Sequence, residues 1–175
     1  IEELLLSPMP IYLIIIGFVV GGVARGIIVG LLVMITALFF TNLEVQNIPL
    51  TLLIVILTAT LFSLAGMINA IFANSFDDIS IVPTFVLTPL IYLGGVFYSI
   101  ELLSDFWQGV SKINPILYMV NSFRYGMIGI SDISVDYAIL VICLFILIFS
   151  IFVYILLKRG IAVSYTHLTL PTTAY

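Results

Sequence analysis

Long apolar runs separated by short polar stretches organise this chain. Residues 11–40 carry one charge, Arg25, and residues 49–72, 81–100 and 137–157 carry none. A run of ~20 apolar residues at ~1.5 Å rise per residue covers a hydrocarbon core of ~30 Å, so each of the four is long enough to cross a bilayer. Pro49 opens the second run, and Thr41–Ile48 and Ala73–Ser80 are the short polar breaks around it. The first run exceeds what a straight crossing needs, which implies tilt, a kink or an interfacial lead-in. The pattern predicts an all-α, polytopic membrane protein with four transmembrane helices.

Polar and small residues inside the runs are not scattered. Gly22, Gly26 and Gly30 recur every fourth position, a small-residue face on which two helices can approach closely, and Gly17 and Gly21 add a second pair. Arg25 lies beside those rows and either snorkels to the surface or faces a wet interior. Ala59, Ser63, Gly66 and Ala70 give the second run a small-residue side, and Asn69 near its end requires a partner across helices. In the third run, Thr84, Thr88, Tyr92, Gly95 and Ser99 fall within about 80° on a wheel of ~100° per residue, with Tyr98 at its edge. Such a stripe faces another helix or a wet cavity, because hydrocarbon offers its hydroxyls no partner.

Residues 101–136 differ. Glu101, Asp105, Lys112, Arg124, Asp132 and Asp136 are too many charges for lipid, yet Phe106, Trp107, Tyr118, Phe123 and Tyr125 keep the segment aromatic. Asn114-Pro115 reads as a helix start, with asparagine as cap and proline at the first position. Beyond it Ile116, Val120, Phe123 and Met127 share one side and Tyr118, Asn121, Ser122 and Tyr125 the other. An amphipathic helix of this kind belongs at the membrane boundary or dips back into it. Lys158-Arg159 after the last run sets the orientation. The positive-inside rule puts that pair and the 73–80 break in the cytoplasm with residues 1–10, and puts 41–48 and 101–136 outside.

Composition agrees and removes whole classes of function. Hydrophobic residues are 63% of the 175 and charged ones 8%, with a mean hydropathy of +1.34; a soluble domain could not carry that surface. No basic tract offers a nucleic-acid site. The lone Cys143 lies in an apolar run and reads as a packed thiol. No P-loop, no metal-ligand spacing and no Ser-His-Asp set occurs, so the chain is expected to be no enzyme and to hold no cofactor or metal. Adjacent Asp77 and Asp78 read as a solvated loop pair. The spans lack acids of the kind that relay protons.

Three short stretches, in order, carry a resemblance: Tyr92-Leu93-Gly94-Gly95-Val96-Phe97-Tyr98, Asn114-Pro115, and Asn121-Ser122-Phe123-Arg124-Tyr125-Gly126. Over residues 1–159 the chain resembles the ABC-2 type transporter permeases, most closely their bacterial YadH-like branch. The resemblance implies the C-terminal two-thirds of a six-helix permease in the bacterial inner membrane, with a re-entrant helical hairpin on the outer side. It implies an ABC ATPase subunit, which consumes the ATP, and a second permease chain as partners. Glu2, Glu3, Leu4, Ser7 and Pro8 would end the coupling segment on that ATPase. Thr84, Thr88, Tyr92, Gly95, Tyr98 and Ser99 would line the path or only pack. Asn114, Pro115, Asn121, Arg124 and Tyr125 would form an outer gate, unless Arg124 simply pairs with Asp105, Asp132 or Asp136. A scaffold without transport, or a passive channel, is the other reading of the residues. The absent initiator Met implies an N-terminal part outside this sequence, and the Thr-rich 160–175 reads as a non-native tail or a short cytoplasmic one.

Overall fold

The computed structural model describes residues 9–41, 45–73 and 75–159, apart from the side chains of Phe76 and Glu101. All regular structure among them is helical. Three helices are long and apolar enough to cross a membrane: α1 (Ile11–Leu38), α2 (Ile48–Phe72) and α7 (Val135–Lys158). Their ends follow from local chemistry. Asn47 caps α2 by accepting from the Leu50 N–H at 3.2 Å, with Pro49 in the first turn where a missing donor costs nothing. In α7, Asp136 lies in the first turn and Lys158 in the last, each of the sign the helix dipole favours.

The third expected span takes another form. Helix starts early, at α3 (Phe76–Ile81), where Ser75 and Asp78 form a reciprocal capping box, so Asp77-Asp78 belong to a helix and not to a loop. It widens to a π-helical turn over Val82–Leu87, returns to α4 (Thr88–Leu93), and stops. The rod is therefore 76–93, not 81–100. Its widening follows from Pro83 and Pro89, which remove two backbone donors; the Thr88 N–H reaches five residues back to the Pro83 carbonyl. Gly95, at φ 71°, then turns the chain in a conformation that side chains disfavour. The stripe drawn on a regular wheel is broken accordingly: Thr84, Thr88 and Tyr92 lie exposed on the rod, whereas Gly95, Tyr98 and Ser99 lie beyond its end.

Two asparagines hold the rod. In a regular helix the Ile79 carbonyl would accept from residue 83, which is proline; Asn69 of α2 donates to it instead, at 2.9 Å. The Leu90 carbonyl loses its partner at the other end, where the Gly94 N–H turns to Ile91, and the Asn114 side chain donates to it at 2.6 Å. In between the rod is open, with Phe85 73% exposed.

After a 3₁₀ turn (Ile100–Leu102) come α5 (Asp105–Ser111) and α6 (Pro115–Ile128). Asn114 caps α6 through the Ile116 N–H, and Gly129, at φ 75°, ends it. The burial of α6 cuts across the two sides its pattern suggests: Ile116 of the apolar side is buried and Tyr125 of the polar side is exposed. Tyr118, Asn121 and Ser122 are buried and Phe123 is exposed, because α6 packs its polar side into the protein against α2 and α7. One core joins Leu61 of α2, Leu117, Tyr118 and Met119 of α6, and Ala138 and Ile142 of α7. A second joins Ile14 of α1 to Leu64, Met67, Val153 and Leu157.

Of the glycine row on α1, Gly22 abuts Ser63 and Gly26 abuts Ala59, while Gly30 has no neighbour within 4 Å among the described residues. The Ser63 hydroxyl donates to the Phe18 carbonyl at 3.1 Å, a bond that this close approach permits. Gly22→Leu is therefore expected to destabilise the protein by about 1–3 kcal/mol, as overpacking does, and Gly30→Leu to leave it unchanged, read as thermal unfolding in detergent. Asn114→Asp keeps the cap but cannot donate to Leu90, and Asn114→Ala loses both, so stability should fall in the order wild type, Asp, Ala, with about 0.5–2 kcal/mol separating the last two.

Candidate functional site

Where the rod ends, its last carbonyls meet α6. Gly95 is buried, and its carbonyl accepts from Arg124 Nη2 at 2.6 Å. Arg124 Nη1 faces Asp132 at 3.5 Å, and the same carboxylate accepts from the Ser99 hydroxyl at 3.1 Å. Asn121, fully buried, completes the cluster: its Oδ1 accepts from the Asp132 N–H at 3.0 Å and its Nδ2 donates to the Leu117 carbonyl at 3.0 Å. One guanidinium and one carboxylate thereby join the rod's end, α6 and the loop before α7. Charge-assisted bonds of this kind are the strong ones, and removing one partner would leave the other uncompensated.

The residues grouped in the sequence as a gate separate into different tasks. Asn114 and Pro115 start α6, and Asn114 also grips the rod. Asn121 and Arg124 join the cluster, and Arg124 takes Asp132 from the three acids considered for it. Tyr125 stands apart, exposed. Asp132 was visible only as one of several loop acids; what selects it is the αL turn at Gly129, which brings the loop back over α6. Of the path residues only Gly95 and Ser99 touch the cluster. Glu2, Glu3, Leu4, Ser7 and Pro8 lie outside the described residues.

The exposed side of α6 is one wall of an open cleft of about 960 Å³. Val120 and Phe123 face α2 residues Thr58 and Phe62 across it, and Gly26 and Val29 of α1 close the third side. Among the described residues its charged side chains are Arg25 and Arg124. At the far end the α6–α2 approach is tight: Gly126 abuts Thr51, and its carbonyl accepts from the Asn47 N–H at 2.9 Å. Among the described residues no cluster of His, Cys, Asp and Glu is arranged to hold a metal. The arrangement sets one guanidinium, one carboxylate and a buried amide beside an apolar cleft.

Comparison with known proteins agrees with this architecture. The profile of the family ABC-2 type transporter matches residues 1–128. The Inner membrane transport permease YadH of Escherichia coli (strain K12) is 54% identical over 160 residues, which is 91% of this chain and 62% of that protein. Nodulation protein J of Neorhizobium galegae is 30% identical over 108 residues, 61% of this chain and 40% of its own, and that of Sinorhizobium fredii 23% over 144 residues, 82% and 55%. The chain thus spans less than two-thirds of the length of these curated relatives. No solved structure matches it. A multi-pass helical membrane protein with a half-buried helix packed between two of its spans, this chain belongs to the ABC-2 type transporter family.

Proposed function

We propose that the chain is part of the transmembrane permease subunit of an ATP-binding-cassette exporter in the bacterial inner membrane, acting with a separate ATPase and a second permease chain. The observation that carries this reading is the 54% identity to a protein named as an inner membrane transport permease, over nearly the whole chain. ATP is consumed on the partner, and the part played here is mechanical.

The geometry supports a fourth crossing formed by the 76–93 rod and a re-entrant hairpin formed by α5 and α6. The C-terminal end of α6 is tied to the start of α2 through Asn47 and Thr51. Its other end, at Asn114, sits beside Leu90 near the top of the rod. Fourteen residues of helix run alongside the first half of α2, a rise of ~21 Å against a ~30 Å core. On this reading α6 lies within the depth of the bilayer, entered from the outer side, where the 41–48 break also lies. The buried polar face of α6 then has a purpose: its amides are partnered inside protein, as hydrocarbon demands.

In the proposed stroke, residues 2–8 receive the motion of the ATPase. The core of α2, α6 and α7 moves as one body, and the rod, held mainly near its two ends, swings against it. Thr84, Thr88, Tyr92, Tyr98 and Ser99 flank the path on the rod's side. The Arg124–Asp132 pair latches the outer end. Swinging the rod stretches the bonds from Asn114 and Arg124 first, so the latch is where opening is resisted.

In the full-length protein, Glu3→Lys or Pro8→Ala is expected to reduce copurification of the ATPase at least severalfold; unchanged copurification removes the docking role. The topology has its own check. In a Cys143→Ser background, a cysteine at Ile130, 62% exposed in the loop that joins the outer end of α6 to α7, should react with a membrane-impermeant maleimide in intact spheroplasts, and one at Lys158 only after permeabilisation. Equal labelling of both in intact spheroplasts contradicts the arrangement.

A further inference from the structure

A second, smaller cleft of about 550 Å³ continues the first along α1 and α2. The larger one runs toward the Leu38 end of α1, past Val29 and Ile128; the smaller runs toward its Ile11 end, past Leu13 and Ala70. Both are lined by Gly22, Arg25 and Ser63, so Arg25 stands at the junction of one long seam. Among the described residues neither wall carries an acidic side chain. Arg124 at the larger cleft is committed to Asp132 and Gly95, and Arg25 has no hydrogen bond or ion pair among the described residues.

The position of Arg25 along α1 makes that lack costly. It stands fourteen residues after Ile11 and thirteen before Leu38, ~20 Å from either helix end at ~1.5 Å per residue. With a ~30 Å hydrocarbon core centred on α1, its Cα lies ~15 Å from each boundary. An arginine side chain is well short of that, so snorkelling does not bring the guanidinium to the headgroups, and a cation at this depth calls for an anion. The seam supplies the rest of the description. Its walls are apolar, and it is open along the flank of α1, where Val29 is 51% exposed. The Ser63 hydroxyl at the junction is spent on Phe18, which leaves Arg25 as the group that selects for charge.

We propose that the seam takes an anionic amphiphile, with its charged head on Arg25 and its apolar chains along the walls of α1, α2 and α6. The inference rests on the permease reading and names the class of molecule that reading leaves open: one with a phosphate-like head and a lipid tail. Arg25 is a halfway station. A head entering from one membrane face meets the guanidinium near mid-depth, while the tail keeps to the bilayer through the open side.

The test uses the full-length permease purified in neutral detergent, without ATPase or nucleotide, so that its outcome is independent of whether the protein is ATP-driven. Equal amounts of dioleoylphosphatidylglycerol and dioleoylphosphatidylcholine are added, and the lipids retained are counted by native mass spectrometry. Wild type is expected to favour the anionic lipid by roughly tenfold, the scale of one charge-assisted hydrogen bond. Arg25→Gln should fall to near parity and Arg25→Lys should keep part of the preference. Lys158→Gln, at a helix end, should match wild type, and millimolar inorganic phosphate should not displace the lipid. Three results overturn the proposal: no preference in wild type; a preference that survives Arg25→Gln; or one that Lys158→Gln abolishes equally, which reports general surface charge. If Arg25→Gln lowers the melting temperature while the preference stays, the counter-ion is an acidic side chain of the protein and the seam takes no anion.

Discussion

A backbone carbonyl without a partner is expensive in hydrocarbon, and this structure is arranged around three of them. Pro83 orphans the carbonyl of Ile79, the tightened end of the rod frees that of Leu90, and the turn at Gly95 points out a third. Each is met by a side chain from a neighbouring segment: Asn69, Asn114 and Arg124. At each position a side chain supplies the donor that the backbone does not. The irregular rod and the elements around it therefore specify one another, and loss of any one donor would leave a backbone carbonyl without its partner.

The same economy explains the division between rigid and movable parts. The core of α2, α6 and α7 is continuous, with Leu117 and Ile142 fully buried, and close packing of this kind deforms little. The 76–93 rod has no comparable core. A few directional bonds at its ends hold it, and a π-helical turn in its middle already departs from regular helix. Such wide turns recur at functional sites. The proposed stroke uses this combination of a stiff body and a lightly tethered helix.

Charge is used as sparingly as polarity. Arg124 has a carboxylate and a carbonyl to answer it; Arg25, on the opposite wall of the same cleft, has neither among the described residues. The contrast separates a cation that holds structure from one available to a ligand. It also accounts for the asymmetry of α6, whose Asn121 and Arg124 complete the cluster and whose Val120 and Phe123 are left to face the cleft.

Much of this was legible in the residue pattern, because three of the four apolar runs are uninterrupted and the requirement to satisfy every backbone group inside lipid leaves helix as the solution. The ends of α1, α2 and α7 follow from Pro10, Asn47-Pro49, Lys158 and the polar breaks, and the start of α6 from Asn114-Pro115. The need of Asn69 for a partner was equally plain; that the partner is Ile79, ten residues on, was not. Periodicity on an ideal wheel failed between Val82 and Ser99, since two prolines and a left-handed glycine change the number of residues per turn and a wheel assumes it constant. It failed again on α6, where a polar face signals water unless other polar groups come to meet it. Which acid answers Arg124, which way α6 turns, and that Arg25 has no partner among the described residues are decided by contacts between segments far apart in sequence, and only the folded chain brings those together.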